Sequence, residues 1–251
     1  MRGYRDLADD LRRRIEEGEF SPGTTLPPIT DLMDEYGMAR QTVRAALAEL
    51  ANQGLVVVRR KLGTLVRDRR PIRVPLSRYG SVLQPGGAHG PWETACAQQG
   101  LNGEMRLVDV QRVSASDDLA SLLGVAPGSE LVQRRRHALI DQEIVQVQWA
   151  WYPAPLADRA GIGERRKVVG GVLGALTGAG LAPAEADERV TSGVPTADEA
   201  RQLQIGTAVP VLRVQRLTRA ADGTPLEVLR VIAPADRIEL VYDRLPLGGT
   251  A

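Results

Sequence analysis

Leu7, Leu11 and Ile15 recur every four residues with charges between them, which predicts a helix with one apolar face that stops near Gly18. Phe20-Ser21-Pro22-Gly23 reads as a turn, and Leu26-Pro27-Pro28 leads into a second short helix from about Ile29 to Tyr36, ended by Gly37. A third helix runs from about Arg40 to Gln53, with Val43, Leu47 and Leu50 inward and Gly54 as its C-terminal stop. The period then changes. Leu55-Val56-Val57-Val58 and Thr64-Leu65-Val66 flank Arg59-Arg60-Lys61-Leu62-Gly63, a β-hairpin with a basic tip. Three helices followed by a hairpin predict a winged helix-turn-helix over residues 1–67.

The remainder contains a repeat. Ser116-Asp117-Asp118-Leu119-Ala120-Ser121-Leu122-Leu123-Gly124-Val125 matches Thr196-Ala197-Asp198-Glu199-Ala200-Arg201-Gln202-Leu203-Gln204-Ile205 at an offset of 80. Each reads as a short capped helix, and Thr196 with Glu199 has the spacing of a capping box. A strand follows each, Leu131–Arg136 and Val211–Arg216, then a polar turn at Asp141-Gln142 or Asp222-Gly223 and a returning strand. Between the repeats, Val168 to Leu181 reads as a glycine-rich helix, so residues 79–251 predict an α+β domain with a mainly antiparallel sheet. Arg67-Asp68-Arg69-Arg70-Pro71-Ile72-Arg73-Val74-Pro75 mixes charges with two prolines and reads as an extended connector, with the linker placed at residues 68–78.

Composition narrows the classes. The net charge of +1 conceals +3 through Arg73 and −2 beyond it. No apolar run approaches the roughly 20 residues that span a bilayer, and the charged N-terminal segment is unlike a signal peptide, so a cytoplasmic protein is expected. One cysteine and two histidines leave no internal disulfide and make a Cys/His metal site a poor expectation. Cys96 reads as packed on an amphipathic helix, with a redox sensor as the other reading. His89 and His137 stand far apart, and no Walker, nucleophile-elbow or dinucleotide motif falls in a strand-to-helix context; neither a catalytic residue nor a cofactor is expected.

The third helix begins Arg40-Gln41-Thr42-Val43-Arg44, so polar donors occupy the end that a recognition helix presents to base edges. Arg40 and Arg44 lie one turn apart, opposite Val43 and Leu47; arginine binds guanine bidentately or holds phosphate, while Gln41 and Thr42 reach bases or backbone. The hairpin tip, Arg60, Lys61, Gly63 and Thr64, suits phosphates or the minor groove of double-stranded DNA.

The succession Tyr4…Leu7-Ala8…Leu11-Arg12…Phe20-Ser21-Pro22-Gly23…Leu26-Pro27, then Tyr36-Gly37-Met38-Ala39-Arg40-Gln41-Thr42-Val43-Arg44 and Gly63-Thr64, resembles the DNA-binding domain of GntR-family transcriptional regulators. The resemblance implies DNA contacts at Arg40, Thr42, Arg44 and the Gly63 tip. Three departures stand out: Ala39 where the family has Ser, Pro28-Ile29-Thr30 where it has Ser-Glu-Arg, and Lys61 in place of the first glycine of the hairpin tip. The duplicated domain resembles the UTRA effector domain of the HutC subfamily over about residues 79–246, which implies a chorismate-lyase-like fold, a small-molecule effector and homodimerisation. Against the sugar-phosphate-binding members, Arg136 and Glu227 are retained, whereas Ala138, Gln148 and Gly171 replace polar groups. With Trp149, Trp151 and Tyr152 clustered on the first return strand, the expected effector is larger and less charged than a sugar phosphate, held by Arg136, Gln148, Trp149, Glu227 and Arg230. The expected function is that of a repressor released from an inverted-repeat operator by a small molecule; a chorismate-lyase-like enzyme with a DNA-binding appendage is the alternative.

Overall fold

Leu7, Leu11, Leu32, Val43 and Leu50 are all fully buried against one another, and the elements they close form the first of two units in a computed structural model that describes residues 3–59, 61–75 and 90–242. Helix α1 (Tyr4–Glu16), α2 (Ile29–Tyr36) and α3 (Arg40–Asn52) precede a two-stranded antiparallel wing, β1 (Val56–Arg59) and β2 (Gly63–Val66). Gly37 takes the left-handed conformation that ends α2, which only glycine adopts without strain, and starts the tight turn into α3. Residues 1–70 make up most of this unit; the remainder is Gly193–Val211, which carries the short helix of the second repeat.

The second unit, residues 71–192 and 212–251, is built on a six-stranded sheet. Strand β3 (Ile72–Pro75) and helix α4 (Pro91–Ala97) lead into β4 (Gly103–Ser114), α5 (Asp117–Leu123), β5 (Glu130–Ile140) and β6 (Glu143–Pro153). Helices α6 (Ala154–Arg159) and α7 (Gly171–Gly178) connect to β7 (Pro183–Gly193), α8 (Ala197–Leu203), β8 (Val211–Ala220), β9 (Pro225–Pro234) and β10 (Ile238–Val241). The sheet order β4-β5-β6-β9-β8-β7 places the two repeats side by side, with β6 and β9 adjacent at the centre. Each repeat begins one strand earlier than the helix that marked it in the sequence: β4 starts at Gly103 and β7 at Pro183. The turn at Asp141-Gln142 holds both residues at positive φ, 46° and 71°, the twist a two-residue hairpin requires. At Thr196 the capping box forms, its hydroxyl accepting from the Glu199 N–H while Glu199 accepts from the Thr196 N–H.

The connector expectation needs correction at one end. Arg67, buried and donating to the Gly54 carbonyl, lies in the first unit as its assignment to residues 1–67 had it, but Ile72–Pro75 pairs in parallel with β10 instead of running free. Alternation explains the strand: Ile72 and Val74 are buried while Arg73 is exposed and pairs with Glu239. Residues 76–78 of the expected linker, like His89, lie outside the described residues. The glycine-rich helix is also shorter than the sequence suggested, because Gly170 and Gly171 both sit at positive φ and delay its start.

Candidate DNA interface and effector cavity

Arginine pairing separates the reading surface from the rest of the first unit. On α1, Arg12, Arg13 and Arg14 form ion pairs with Asp9, Asp10, Glu17, Glu19 and Glu35. Arg40, Gln41 and Arg44 project from the first turns of α3 into solvent and donate no hydrogen bond to any described residue, while Val43 on the opposite face is fully buried. Thr42 is half-buried beside them. Ala39, where the GntR resemblance has Ser, provides no side-chain cap, leaving the first N–H groups of α3 open to a phosphate.

On the wing, Lys61 and Gly63 are exposed at a tight turn closed by the Leu62 N–H to the Arg59 carbonyl, with Thr64 half-buried behind them. Lys61 occupies the left-handed region at φ 70°, where glycine would be unstrained; holding a cation at the tip therefore costs about 1 kcal/mol of backbone strain. Arg60 lies outside the described residues.

The second unit contains a cavity of about 160 Å³ on one face of its sheet. Arg134 and Arg136 reach it from β5, Gln146 and Gln148 from β6, and Arg216 and Glu227 from β8 and β9. The start of α7 and Trp92 of α4 also line it, together with Lys167 and the carboxylates of Glu93 and Glu188. Period-two alternation decides which expected residues belong. Arg136 pairs with Gln148 across β5 and β6, so both face the cavity; Trp149 pairs with Arg230, and this pair falls on the other face. There Arg230 binds Asp118, drawing its carboxyl down to about 2, and lies over the Trp151 ring as part of the packing under α5. Trp149 and Arg230 therefore leave the effector set.

Glu227 is in the cavity wall but is already engaged. Fully buried, it accepts from Arg216 at 2.6 Å and from the Tyr152 hydroxyl. Burial pushes its carboxyl up, but the charges of Arg216 and Arg136 and these hydrogen bonds outweigh that, holding it below its ordinary value. Arg134, missed in the sequence, is equally committed: it donates to the carbonyls of Ile162, Glu164 and Arg166 and fixes the loop before α7. Its position two residues before Arg136 on one strand was the available signal.

Arg136 is different. The buried Nε of Arg134, Arg136 and Arg216 alike makes no hydrogen bond, but Arg136 alone of the three donates no side-chain hydrogen bond to any described residue. The duplication supplies the reason. Arg136 and Arg216 are equivalent at the offset of 80, and past the one-residue-longer second turn Glu227 is equivalent to Gln146. Where the second repeat has a carboxylate for its arginine, the first has a neutral amide, and Gln146 accepts instead from Gln148 at 2.9 Å. Cys96 takes no part: it is buried, with its thiol pushed up to about 12 by that burial, which makes it an inert packing residue.

A winged helix with uncommitted cations at its reading end, continuous with a sheet domain that carries a largely apolar cavity with a few charged groups in its wall, defines a DNA-binding regulator with an effector domain. Residues 3–66 match the bacterial regulatory proteins of the gntR family, and residues 98–239 match the UTRA domain. The chain belongs to the GntR family, in the branch that carries a UTRA domain, and is a transcriptional regulator. It is similar to the HTH-type transcriptional regulator RB1450 of Rhizobium meliloti, 28% identical over 243 residues that cover 94% of this chain and 93% of that one. With the HTH-type transcriptional repressor NagR of Bacillus subtilis it shares 24% identity over 244 residues, 96% of this chain and 95% of the relative. The crystal structure of PhnF from Mycobacterium smegmatis matches with a TM-score of 0.61 at 25% identity, over 95% of this chain and 99% of that one. Among the described residues, no helix is long and apolar enough to cross a membrane.

Proposed function

We propose that this regulator is a cytoplasmic homodimeric repressor that binds an inverted-repeat operator and releases it when a small molecule bearing an anionic group occupies the UTRA-domain cavity. The observation that carries the effector class is Arg136, a half-buried guanidinium facing the cavity without the carboxylate that neutralises its counterpart in the second repeat. A buried charge without a partner is costly, so a ligand carboxylate or phosphate that pairs with it gains the full benefit of a charge-assisted hydrogen bond. Lys167 adds a second cation to the lining, and Leu229 and Val231 offer an apolar wall to the rest of the ligand. The cavity's small volume and the position of Trp149 on the other face support a compact anionic effector over the large, weakly charged one suggested by the aromatic cluster.

The reading of the DNA contacts rests on Arg40, Gln41, Thr42 and Arg44 at the start of α3 and on Lys61, Gly63 and Thr64 at the wing. A homodimer on a two-fold site follows from the limited number of bases that one winged helix can read. Repression draws support from NagR, which is named a repressor. The engagement of Glu227 by Arg216 and Tyr152 supports a binding role over catalysis, since a carboxylate held ionised in an ion pair is a poor proton donor or acceptor near neutral pH.

Arg44→Ala is expected to weaken binding to a selected operator by about 1–3 kcal/mol, with relaxed preference at one base pair if Arg44 reads a base and a uniform loss if it holds phosphate. Electrophoretic titration against the operator and its single-base variants checks this; unchanged affinity throughout removes Arg44 from the interface. Lys61→Ala is expected to reduce the slope of log affinity against log salt by about one, the release of roughly one phosphate's counterion. An unchanged slope places the wing tip away from the DNA backbone. The effector class is tested by a thermal-shift screen of carboxylated and phosphorylated metabolites, since a ligand selective for the native state raises the melting temperature by mass action. Stabilisation by neutral compounds alone would count against it.

A further inference from the structure

The segment Gly193–Val211 is the second repeat's helix and turn, yet it packs with the DNA-binding unit. Its turn after α8 meets both elements that face DNA. The Gln204 side chain accepts from Arg59 Nη1 at 2.9 Å, at the end of wing strand β1, and the Thr207 hydroxyl donates to the Asn52 side chain at 2.9 Å, at the last residue of α3. Between these contacts Gly206 lies flush on the end of α3: a Cβ there would sit 2.5 Å from the Ala51 carbonyl oxygen and closer still to that of Asn52. Val209 is buried at 2% exposure against Gly54, at a point where a Cβ on Gly54 would also run into Arg67.

The first repeat is an internal control for this surface. Both turns leave their helix through a left-handed residue, Gly124 at φ 64° and Gln204 at φ 56°, and both return a backbone N–H to the helix, Val125 to Ala120 and Ile205 to Ala200. The backbone device is thus shared, whereas the head-facing side chains are not. At the offset of 80, Gln204, Gly206, Thr207 and Val209 replace Gly124, Ala126, Pro127 and Ser129. Gly124 has no side chain to accept from an arginine, Ala126 carries the Cβ that Gly206 must lack, and Pro127 has no hydroxyl. Only the second copy carries the residues that grip the head. Gln204 also holds a left-handed backbone that its counterpart achieves with glycine, so the site keeps a strained residue whose side chain is used.

Two residues beyond this turn begins β8, whose Leu212, Val214 and Arg216 line the cavity. We propose that the turn Gln204–Val209 is the transmission element of the switch, gripping the recognition helix and the wing together and tying their position to the state of β8. This proposal rests on the reading of the chain as an effector-controlled DNA-binding regulator. Coupling of this kind is reciprocal, so DNA bound at the head must alter β8 as much as an effector at β8 alters DNA binding.

The reciprocal direction allows a test with DNA as the probe. A duplex is selected from a random-sequence pool with the full chain, and hydrogen exchange is followed by mass spectrometry with and without it. In the wild type, DNA is expected to change exchange across Leu212–Arg216 by about fivefold or more, alongside protection of α3 and the wing. Gly206→Ala, which forces the turn off the end of α3, is expected to keep the protection of α3 and the wing while the change in β8 falls below about twofold. Should Gly206→Ala fail to fold, the double variant Gln204→Gly, Thr207→Val removes both side-chain bonds while preserving the left-handed backbone, and the same loss is expected. A β8 response that persists undiminished in the folded variants, or that is absent from the DNA-bound wild type, overturns the coupling alone. Selection of no specific duplex overturns the regulator reading and the coupling with it.

Discussion

Glu227→Ala is expected to destabilise the second unit by about 3–5 kcal/mol, because it breaks the buried ion pair with Arg216 by removing one partner. Side chains of both residues are almost wholly enclosed, at 7% and 2% exposure, so water cannot take over the pairing. The Tyr152 hydroxyl loses its acceptor as well. Against a total stability of about 5–15 kcal/mol, a loss of this size is a large fraction of the fold. Urea unfolding should show it as a lower midpoint with an unchanged slope. A shift equivalent to less than about 1 kcal/mol would mean that the pair is solvated and that Glu227 is free to serve a ligand. The sign of the pH dependence follows from the same geometry. Glu227 has a folded pKa below its ordinary value of 4.5, so the stabilisation is complete above 4.5 and is lost as the pH falls from there through the folded pKa. The wild type should lose stability along that acid limb, and Glu227→Ala should lack this part of the slope.

Arg136→Ala is expected to weaken effector binding by about 2–5 kcal/mol, because it removes the charge-assisted donor for the ligand's anionic group. Folding should change much less than in Glu227→Ala, since Arg136 donates no side-chain hydrogen bond to any described residue and only its longer-range attraction to Glu227 is lost. The two variants thus separate: one arginine–carboxylate pair holds the wall together, and the unpaired arginine opposite it awaits a ligand. Calorimetric titration with a compound from the thermal-shift screen measures the difference. Equal affinity in wild type and variant would place the anionic group elsewhere, with Lys167 and the N–H groups at the start of α7 as the next residues to replace.

Local rules made most of the first unit legible. The four-residue spacing of Leu7, Leu11 and Ile15, the stop at Gly37 and the basic tip of the wing each follow from short-range geometry, and the GntR resemblance named the same elements. The connector was misread because its prolines suggested an extended chain. An extended chain becomes a strand once a partner such as β10 is available, and that partner lies more than 160 residues further on. The effector set failed in one respect for a similar reason. Arg136, Gln148 and Glu227 share a face, but Trp149 and Arg230 sit at the opposite parity of their strands; alternation alone separates Gln148 from Trp149, whereas which of the two joins Arg136 needed the register. Whether a charged residue is spent or available was not legible at all. Glu227 and Arg136 look alike in the chain, and only the structure shows that Glu227 pairs with Arg216 while its equivalent in the first repeat, Gln146, bonds to Gln148 instead of to Arg136. The packing of residues 193–211 with the DNA-binding unit was likewise invisible, since it depends on a missing Cβ at Gly206 meeting the end of a helix about 150 residues earlier.

The central claim, that occupancy of this cavity sets affinity for DNA, is tested most directly by fluorescence-anisotropy titration of the selected operator with and without the screened anionic compound, in wild type and Arg136→Ala. The account predicts that the compound raises the wild-type dissociation constant by about 5–150-fold, while Arg136→Ala binds the operator as the wild type does and no longer responds at the same compound concentration. An equal response in Arg136→Ala, or a bound compound that leaves wild-type operator affinity unchanged, would contradict it.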